Sequence, residues 1–175
     1  MKSTRFVFGR ALAVLCALLF VSFGFMSCQQ EDDDNGLPDG VYELSDNSAL
    51  IGTWQSSYGE VFKITSTSLS NGGSWGDAYA GNYLVVSYTN DEETAGYIYI
   101  KYTRAMNPDY SYSETAPDVG KWYAIAFKDL TASSLNLSGA YNASGKTSTE
   151  TLEEAISTFT IANGYFSYYS ECVKQ

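Results

Sequence analysis

Residues 80–103 read AGNYLVVSYTNDEETAGYIYIKYT, in which two runs of β-branched and aromatic residues flank an acidic turn. Runs of this composition and length, bounded by turn residues, are typical of β-strands. In the second run Ile98, Ile100 and Tyr102 alternate with two tyrosines and a lysine, so one face of the strand is apolar. The stretch therefore predicts two neighbouring strands joined by the turn.

Similar runs recur on both sides of this pair, separated by short turn-rich segments. Together they amount to about eight strands, and short connections favour an antiparallel meander. Closing the meander into a barrel removes the exposed strand edges that promote aggregation. The sequence therefore predicts an all-β fold, an antiparallel meander of about eight strands closing into a barrel. The further runs are LIGTWQSS (50–57), GEVFKITST (59–67), GKWYAIAFKDL (120–130), SSLNLSGAY (133–141), TFTI (158–161) and YFSYY (165–169).

The C-terminal part of the chain is predicted to hold one helix and one hairpin. Residues 148–159, STETLEEAISTF, carry the spacing of a capping box at Thr151 and Glu154, with apolar residues at helical intervals. Asn163 and Gly164 separate two apolar runs and accept the positive φ angles of a two-residue hairpin turn. One short helix is thus expected before the last hairpin.

Gly52-Thr53-Trp54 stands at the start of the first predicted barrel strand. It resembles the G-x-W signature of lipocalins and of bacterial lipocalin-like domains, and the resemblance covers about residues 49–172. It implies a barrel that Trp54 closes at one end and an interior that binds small hydrophobic molecules. The chain has no Thr-Asp-Tyr turn motif, and near its C-terminus it offers Lys174 where lipocalins stack an arginine on the tryptophan. A core tryptophan in another kind of β-barrel is the alternative interpretation.

The first 28 residues have the composition of an export signal. Three basic residues precede an apolar run at 11–26, which is too short to span a membrane and well sized for a secretory signal. The junction Phe25-Met26-Ser27-Cys28 resembles the relaxed lipobox of spirochaete lipoproteins. That resemblance implies cleavage after Ser27 and acyl chains on Cys28; the alternative is an ordinary secretory signal with an incidental cysteine. Some of these lipoproteins also share the Gly-Thr-Trp start and a tyrosine-rich C-terminal hairpin.

Three segments follow from these observations: a signal peptide at 1–27 that is removed, a lipidated cysteine with an acidic flexible tether at 28–48, and a lipocalin-like barrel domain at 49–175. Removal of the signal leaves seven basic and twenty acidic residues, a net charge of −13. An anionic surface repels nucleic acid, so nucleic acid is excluded as a partner. The charge suits a cationic partner or serves solubility alone.

The chain contains no histidine, which excludes Ser-His-Asp and Cys-His nucleophile systems and most zinc sites. Carboxylate-pair or Ser-Lys chemistry would survive, but no spacing points to either. We therefore assign no catalytic residue, no metal site and no cofactor, and expect the protein not to be an enzyme. With Cys28 acylated, Cys172 would be the one free thiol of the mature chain, and we expect it to be buried.

Fifteen tyrosines are the most unusual part of the composition, and tyrosine combines a rigid apolar body with a polar tip. We predict an exported protein, held to the cell envelope through acyl chains on Cys28, with the outer membrane favoured. Its predicted role is non-catalytic binding of a small apolar or aromatic ligand, for which Ala124 and Ala126 would make room inside the barrel. The alternative is a cell-surface or periplasmic protein-interaction module, an adhesin or an inhibitor of a cationic enzyme, with a packed barrel. The residues predicted to contact a ligand are Tyr97, Tyr99, Tyr110, Tyr112 and Trp122.

Overall fold

Eight antiparallel strands form a closed barrel in the computed structural model of the protein, which describes residues 36–175. The predicted signal peptide, the acylation of Cys28 and the first part of the tether lie outside the described residues. Within residues 36–175, no helix is both long and apolar enough to cross a membrane. The elements are β1 (Tyr42–Glu43), β2 (Gly52–Ser56), β3 (Glu60–Ile64), β4 (Ser68–Gly73), β5 (Gly76–Tyr88), β6 (Gly96–Met106), β7 (Tyr112–Ser113), β8 (Trp122–Lys128), β9 (Ser134–Gly139), α1 (Leu152–Thr158) and β10 (Ser170–Lys174).

The barrel strands are β2, β3, β4, β5, β6, β8, β9 and β10, and each pairs with the next along the chain. The last strand, β10, pairs in turn with β2, which closes the sheet on itself. Two short strands lie beside this ring: β1 pairs with β5, and β7 pairs with β6. The predicted fold class is therefore confirmed: an all-β antiparallel meander of eight strands, closed into a barrel, with one short helix before the final strand.

Large side chains occupy the barrel interior. An eight-stranded barrel is just wide enough to be filled by its own side chains or to hold one small ligand. Most inward positions here carry aliphatic or aromatic residues, with Glu60, Asn71 and Ser170 as polar exceptions. Each of the residues named below is at most 2% exposed to solvent. A hollow interior is therefore not what this sequence builds. The inward residues include Trp54, Phe62, Ile64, Leu69, Ile98, Ile100, Ile125, Phe127, Leu135 and Leu137.

Trp54 lies at the seam where β10 pairs with β2. Its ring is fully buried, and its Nε1 donates a hydrogen bond to the Leu50 carbonyl oxygen at 2.8 Å. Lys174 lies over the ring, with Nζ 5.0 Å from the ring centroid, and also donates to the Ala49 carbonyl oxygen. The lysine stem crosses Gly52 so closely that a Cβ there would lie 2.5 Å from Lys174 Cε. Glycine and lysine are thus fitted to each other at this end, which we call the closed end.

The helix begins directly after Thr151, the N-cap that the capping-box spacing predicts, and covers Leu152–Thr158. The Thr151 hydroxyl accepts a hydrogen bond from the Glu154 N–H at 3.2 Å, as the capping-box spacing predicts. The Glu154 carboxylate accepts from the N–H of Glu150 rather than from that of Thr151. Because α1 packs against β8, it covers part of the outer surface of the barrel.

The predicted hairpin around Asn163 and Gly164 is wrong. These residues do form a turn, in which Gly164 has φ of 77°. However, the Asn163 side chain donates to the carbonyl oxygens of Ser157 and Thr158, so the turn ends the helix instead of joining two strands. The apolar run at 165–169 stays outside the sheet, and β10 begins only after it.

We expect Trp54→Ala to lower the free energy of unfolding by about 3–5 kcal/mol, because it empties the packed closed end. Trp75→Ala is the matched control: that side chain is 62% exposed, and its loss should change stability by less than about 0.5 kcal/mol. Urea denaturation followed by circular dichroism measures both. Equal losses for the two variants would contradict the role assigned to Trp54.

Candidate functional site

The residues predicted to contact a ligand lie at three separate places. Tyr97 and Tyr99 are on the outer face of β6, where the Tyr97 ring contacts Phe166 at 5.5 Å between centroids. Tyr110 and Tyr112 are exposed on the connection between β6 and β8, whereas Trp122 borders a cleft on the side of the barrel. The structure thus brings together Tyr97 with Tyr99, and Tyr110 with Tyr112, but does not unite all five residues in one site. Ala124 and Ala126 share the outer face with Tyr97 and Tyr99 and make no room inside the barrel.

The two ends of the barrel differ sharply in their loops. Because neighbouring strands alternate in direction, the connections at 65–67, 89–95 and 129–133 belong to the closed end. None of these three connections contains an aromatic residue, and the longest carries Asp91, Glu92 and Glu93. We call the opposite end the aromatic end; its connections are 57–59, 74–75, 107–121 and 140–169.

Most of the exposed aromatic side chains belong to the connections of the aromatic end. Of the eight aromatic side chains classed as exposed in residues 36–175, two (Tyr42 and Tyr83) lie elsewhere, and the other six lie in connections of this end. The rest of these connections is rich in serine, glycine and asparagine. A surface of this composition resembles antibody combining loops, in which tyrosine and tryptophan supply contact area and small polar residues supply adaptable hydrogen bonds. The six residues are Tyr58, Trp75, Tyr110, Tyr112, Tyr141 and Tyr168.

The long connection between β6 and β8 is held by local hydrogen bonds. The Asn107 amide nitrogen donates to the hydroxyl oxygens of Ser111 and Ser113 at 3.0 and 3.1 Å. The Asp109 carboxylate accepts from both the N–H and the hydroxyl of Ser111. These bonds fix the turn that presents Tyr110, which has a positive φ of 67°. The exposed aromatic residue therefore stands on an ordered loop.

Inside the aromatic end, the rings of three tyrosines pack against one another; we call this group the tyrosine stack. The rings of Tyr102 and Tyr123 are stacked with centroids 4.8 Å apart, and Tyr79 meets Tyr123 edge to face at 5.3 Å. The Tyr123 hydroxyl donates to the Ala140 carbonyl oxygen at 3.2 Å. Phe159, just after α1, closes this stack from the side, with its ring 6.0 Å from that of Tyr123.

A carboxylate lies beside this tyrosine stack. Glu60 Oε1 accepts from the Asn71 amide nitrogen at 2.9 Å, and Oε2 accepts from the Ser170 hydroxyl at 2.6 Å. Both oxygens of the carboxylate are therefore engaged, one by a side chain of the adjacent strand β4 and the other by a side chain of β10. Glu60 was not among the residues predicted to form a site. Period-two alternation places it on the same face as Phe62, and this pattern could have indicated that its carboxylate points inward.

Burial raises the pKa of three tyrosine phenols and one cysteine thiol in this part of the barrel. Tyr79 and Tyr102 have pKa values well above the usual 10.0 because their phenols are removed from water and neighbour other tyrosines. The pKa of Tyr123 is also raised, chiefly because its phenol is buried. Burial, reinforced by the Glu60 carboxylate, raises the pKa of the Cys172 thiol from 9.0 to about 11. The cysteine is buried, as predicted, so its thiol is protonated and unreactive in the folded protein.

Cationic side chains near the aromatic end are held in ion pairs. Arg104 contacts Glu114 at 3.4 Å, and Lys121 contacts Asp118 and Glu150 at 3.6 and 3.3 Å. Lys146 pairs with Glu154. Within residues 36–175, no group of three or more cysteine and acidic side chains is arranged to hold a metal ion.

A concave feature lies on the side of the barrel. It is an open cleft of about 1120 Å³ between the segment that precedes β2, the middle of β5 and the start of α1. This volume is somewhat above the range that is usual for small-molecule pockets, roughly 300–1,000 Å³, as expected for a cleft that is open to solvent. Comparisons with protein-family models, curated proteins and solved structures found no match for the chain. The candidate sites therefore rest on the geometry and chemistry of the aromatic end and of the cleft.

The raised pKa values predict that the protein loses stability in alkali. A group whose pKa is higher in the folded state stabilises the fold below its unfolded pKa, and this contribution is lost as pH rises toward the folded pKa. We expect the loss to begin near pH 9, where unfolded Cys172 ionises, and to steepen above pH 10, where the unfolded tyrosines ionise.

Urea midpoints at pH 8 and pH 11 test this expectation. Tyr79→Phe and Cys172→Ala should each reduce the difference between the two midpoints, because each variant removes one group with a raised pKa. Tyr58→Phe, at an exposed position, is the control and should leave the difference unchanged. A pH-independent midpoint in the unsubstituted protein would contradict the prediction.

Proposed function

We propose that the protein is an exported, lipid-anchored binding protein without catalytic activity, and that its barrel serves as a protein-interaction module. In this proposal acyl chains on Cys28 hold the protein to the cell envelope, with the outer membrane favoured, and residues 28–48 act as the tether. The observation that carries the interaction role is the gathering of six exposed aromatic side chains at the aromatic end, against none in the loops of the closed end.

Exposed aromatic side chains are suited to bind a protein surface. Tryptophan and tyrosine are enriched among the residues that dominate binding energy, since each buries a large area at a small cost in side-chain entropy. The closed barrel supports them as a rigid scaffold, and loops on such scaffolds commonly carry recognition. A standard interface takes roughly 800 Å² from each partner, and the six aromatic residues provide the start of such an area.

Electrostatics favour a cationic partner. The cations of the aromatic end are paired, so this surface has no row of unpaired positive charge that would repel one. The excess of acidic residues over the chain as a whole would attract a positively charged protein from a distance and speed its encounter. An adhesin for a basic surface or an inhibitor of a cationic enzyme fits both observations.

The second candidate function is non-catalytic binding of a small apolar or aromatic ligand. The cleft on the side of the barrel favours it, because this is the concave feature in which Trp122 is placed. The packed interior argues that such a ligand would bind on the outside of the barrel rather than within it.

We also propose that the barrel domain is related to the lipocalins. The eight-strand closed meander supports it, and Lys174 lies over Trp54 where lipocalins stack an arginine, although an ammonium stacks less well than a guanidinium. The filled interior departs from the ligand-binding barrels of that family.

Site-specific photocrosslinking tests the interaction role. A benzoylphenylalanine at Tyr110 or at Tyr168 should give an adduct with the same protein on intact cells, whereas one at Glu92 or at Thr131, on the closed end, should give none. Equal adducts from both ends, or none from the aromatic end, would overturn the proposal.

With that partner in hand, we expect Trp75→Ala and Tyr168→Ala each to weaken the affinity about fivefold or more, because anchoring aromatic residues contribute at least about 1 kcal/mol. Tyr42→Ala is the matched control, since Tyr42 is also exposed but lies away from the aromatic end. An unchanged affinity in the first two variants would show that other residues bind the partner.

Cell fractionation tests the anchor. We expect Cys28→Ser to move the exported protein from the membrane to the soluble fraction, because several acyl chains hold a protein to a bilayer far more firmly than its polar surface can. Cys172→Ser serves as the control and should stay with the membrane. A Cys28→Ser protein that still sediments with membranes would contradict acylation at this residue.

A further inference from the structure

The floor of the cleft is apolar. It is formed by the side chains of Leu44, Leu84 and Leu152, each buried, with Trp122 half-buried at its edge. The three leucines come from the segment before β2, the bulged middle of β5 and the first turn of α1, and Trp122 is the first residue of β8. Such a floor would cover an alkyl chain or a small ring and remove its surface from water.

The rim of the cleft carries carboxylates. Glu43 and Asp46 stand on one side and Glu150 and Glu153 on the other, and all four are exposed. No lysine or arginine is among the residues that line the cleft, all of which lie between residues 36 and 153.

The nearest cations are already engaged. Lys121 Nζ lies 3.3 Å from the Glu150 carboxylate, so that this carboxylate is partly neutralised. Lys101 Nζ lies 5.9 Å from the centroid of the Tyr83 ring, which also borders the cleft. Glu43, Asp46 and Glu153 have no such ion pair among the described residues. The rim is therefore negative in spite of these two lysines.

From an apolar floor beneath a negative rim, we infer that the cleft binds a small amphiphile with a cationic head and an apolar tail. The inference rests on the second proposed function, small-ligand binding, and adds the charge of the ligand. The tail would lie on Leu44, Leu84 and Leu152, while the head would lie among the carboxylates. The face of Trp122 would attract the same cation. An anionic amphiphile such as a fatty acid would meet like charges at the rim and is disfavoured.

Three probes with one tail and different heads test this inference: octyltrimethylammonium, octanol and octanoate. Titration into the exported chain carrying Cys28→Ser, followed by calorimetry and by tryptophan fluorescence, gives each dissociation constant. We expect octyltrimethylammonium to bind about tenfold more tightly than octanoate, because the rim attracts one head and repels the other. Its advantage should shrink as salt is added, since exposed charges are screened.

Variants of the rim locate the effect. Asp46→Asn combined with Glu153→Gln should weaken octyltrimethylammonium binding about fivefold or more and leave octanol binding unchanged, because these exposed charges contact only the head. Asp91→Asn combined with Glu92→Gln, which removes the same charge from a closed-end loop, is the matched control and should change neither. Trp122→Ala should weaken the binding of all three probes, because it removes part of the apolar surface of the cleft.

The outcomes separate this inference from the function on which it rests. Equal binding of the three probes, or tighter binding of octanoate, would overturn the cationic preference and leave small-ligand binding in place. Binding of none of the probes would overturn both. A cationic preference that survives the Asp46→Asn and Glu153→Gln changes would also overturn the inference, since the charge would then lie elsewhere.

Discussion

The pairing of β10 with β2 is the contact on which the rest of the structure depends. It joins strands that lie more than a hundred residues apart in the chain and leaves no barrel strand with an unpaired edge. Lys174, Trp54 and Gly52 meet at this seam, and the glycine leaves space for the lysine stem that crosses it. Eight strands also set the width of the interior, which either side chains or one small ligand can fill, and here large apolar side chains fill it.

With the interior filled, the recognition that we propose falls to the outside of the barrel. The strands and their buried faces are committed to packing, whereas the connections can vary without disturbing the core. The two sets of connections differ in residue type. Those of the closed end contain acidic residues and no aromatic residue, whereas those of the aromatic end are rich in tyrosine. Tyrosine thus serves two purposes in one chain. Tyr79, Tyr102 and Tyr123 pack inside with raised pKa values, while Tyr110 and Tyr168 face solvent.

Much of the fold could be predicted from the sequence, because period-two alternation and turn residues mark most strands. The alternation failed in β8, where Tyr123, Ile125 and Phe127 point inward but the alanines between them are also buried, under an outer layer. Without alternation the sequence could not tell which face of β8 was inside. The hairpin prediction failed because Asn163 bonds to the end of a helix, and a local turn signal does not specify what the turn joins.

The candidate sites were harder to predict than the fold, because both depend on contacts between distant parts of the chain. The aromatic end becomes visible only when strand directions are known, since its six aromatic residues are spread from Tyr58 to Tyr168. The cleft likewise needs the segment before β2 to lie beside α1. One connection, 140–169, borders both features: Glu150 and Glu153 line the cleft, and Tyr168 belongs to the aromatic end. The two features therefore share one stretch of chain, which a local sequence pattern could not have indicated.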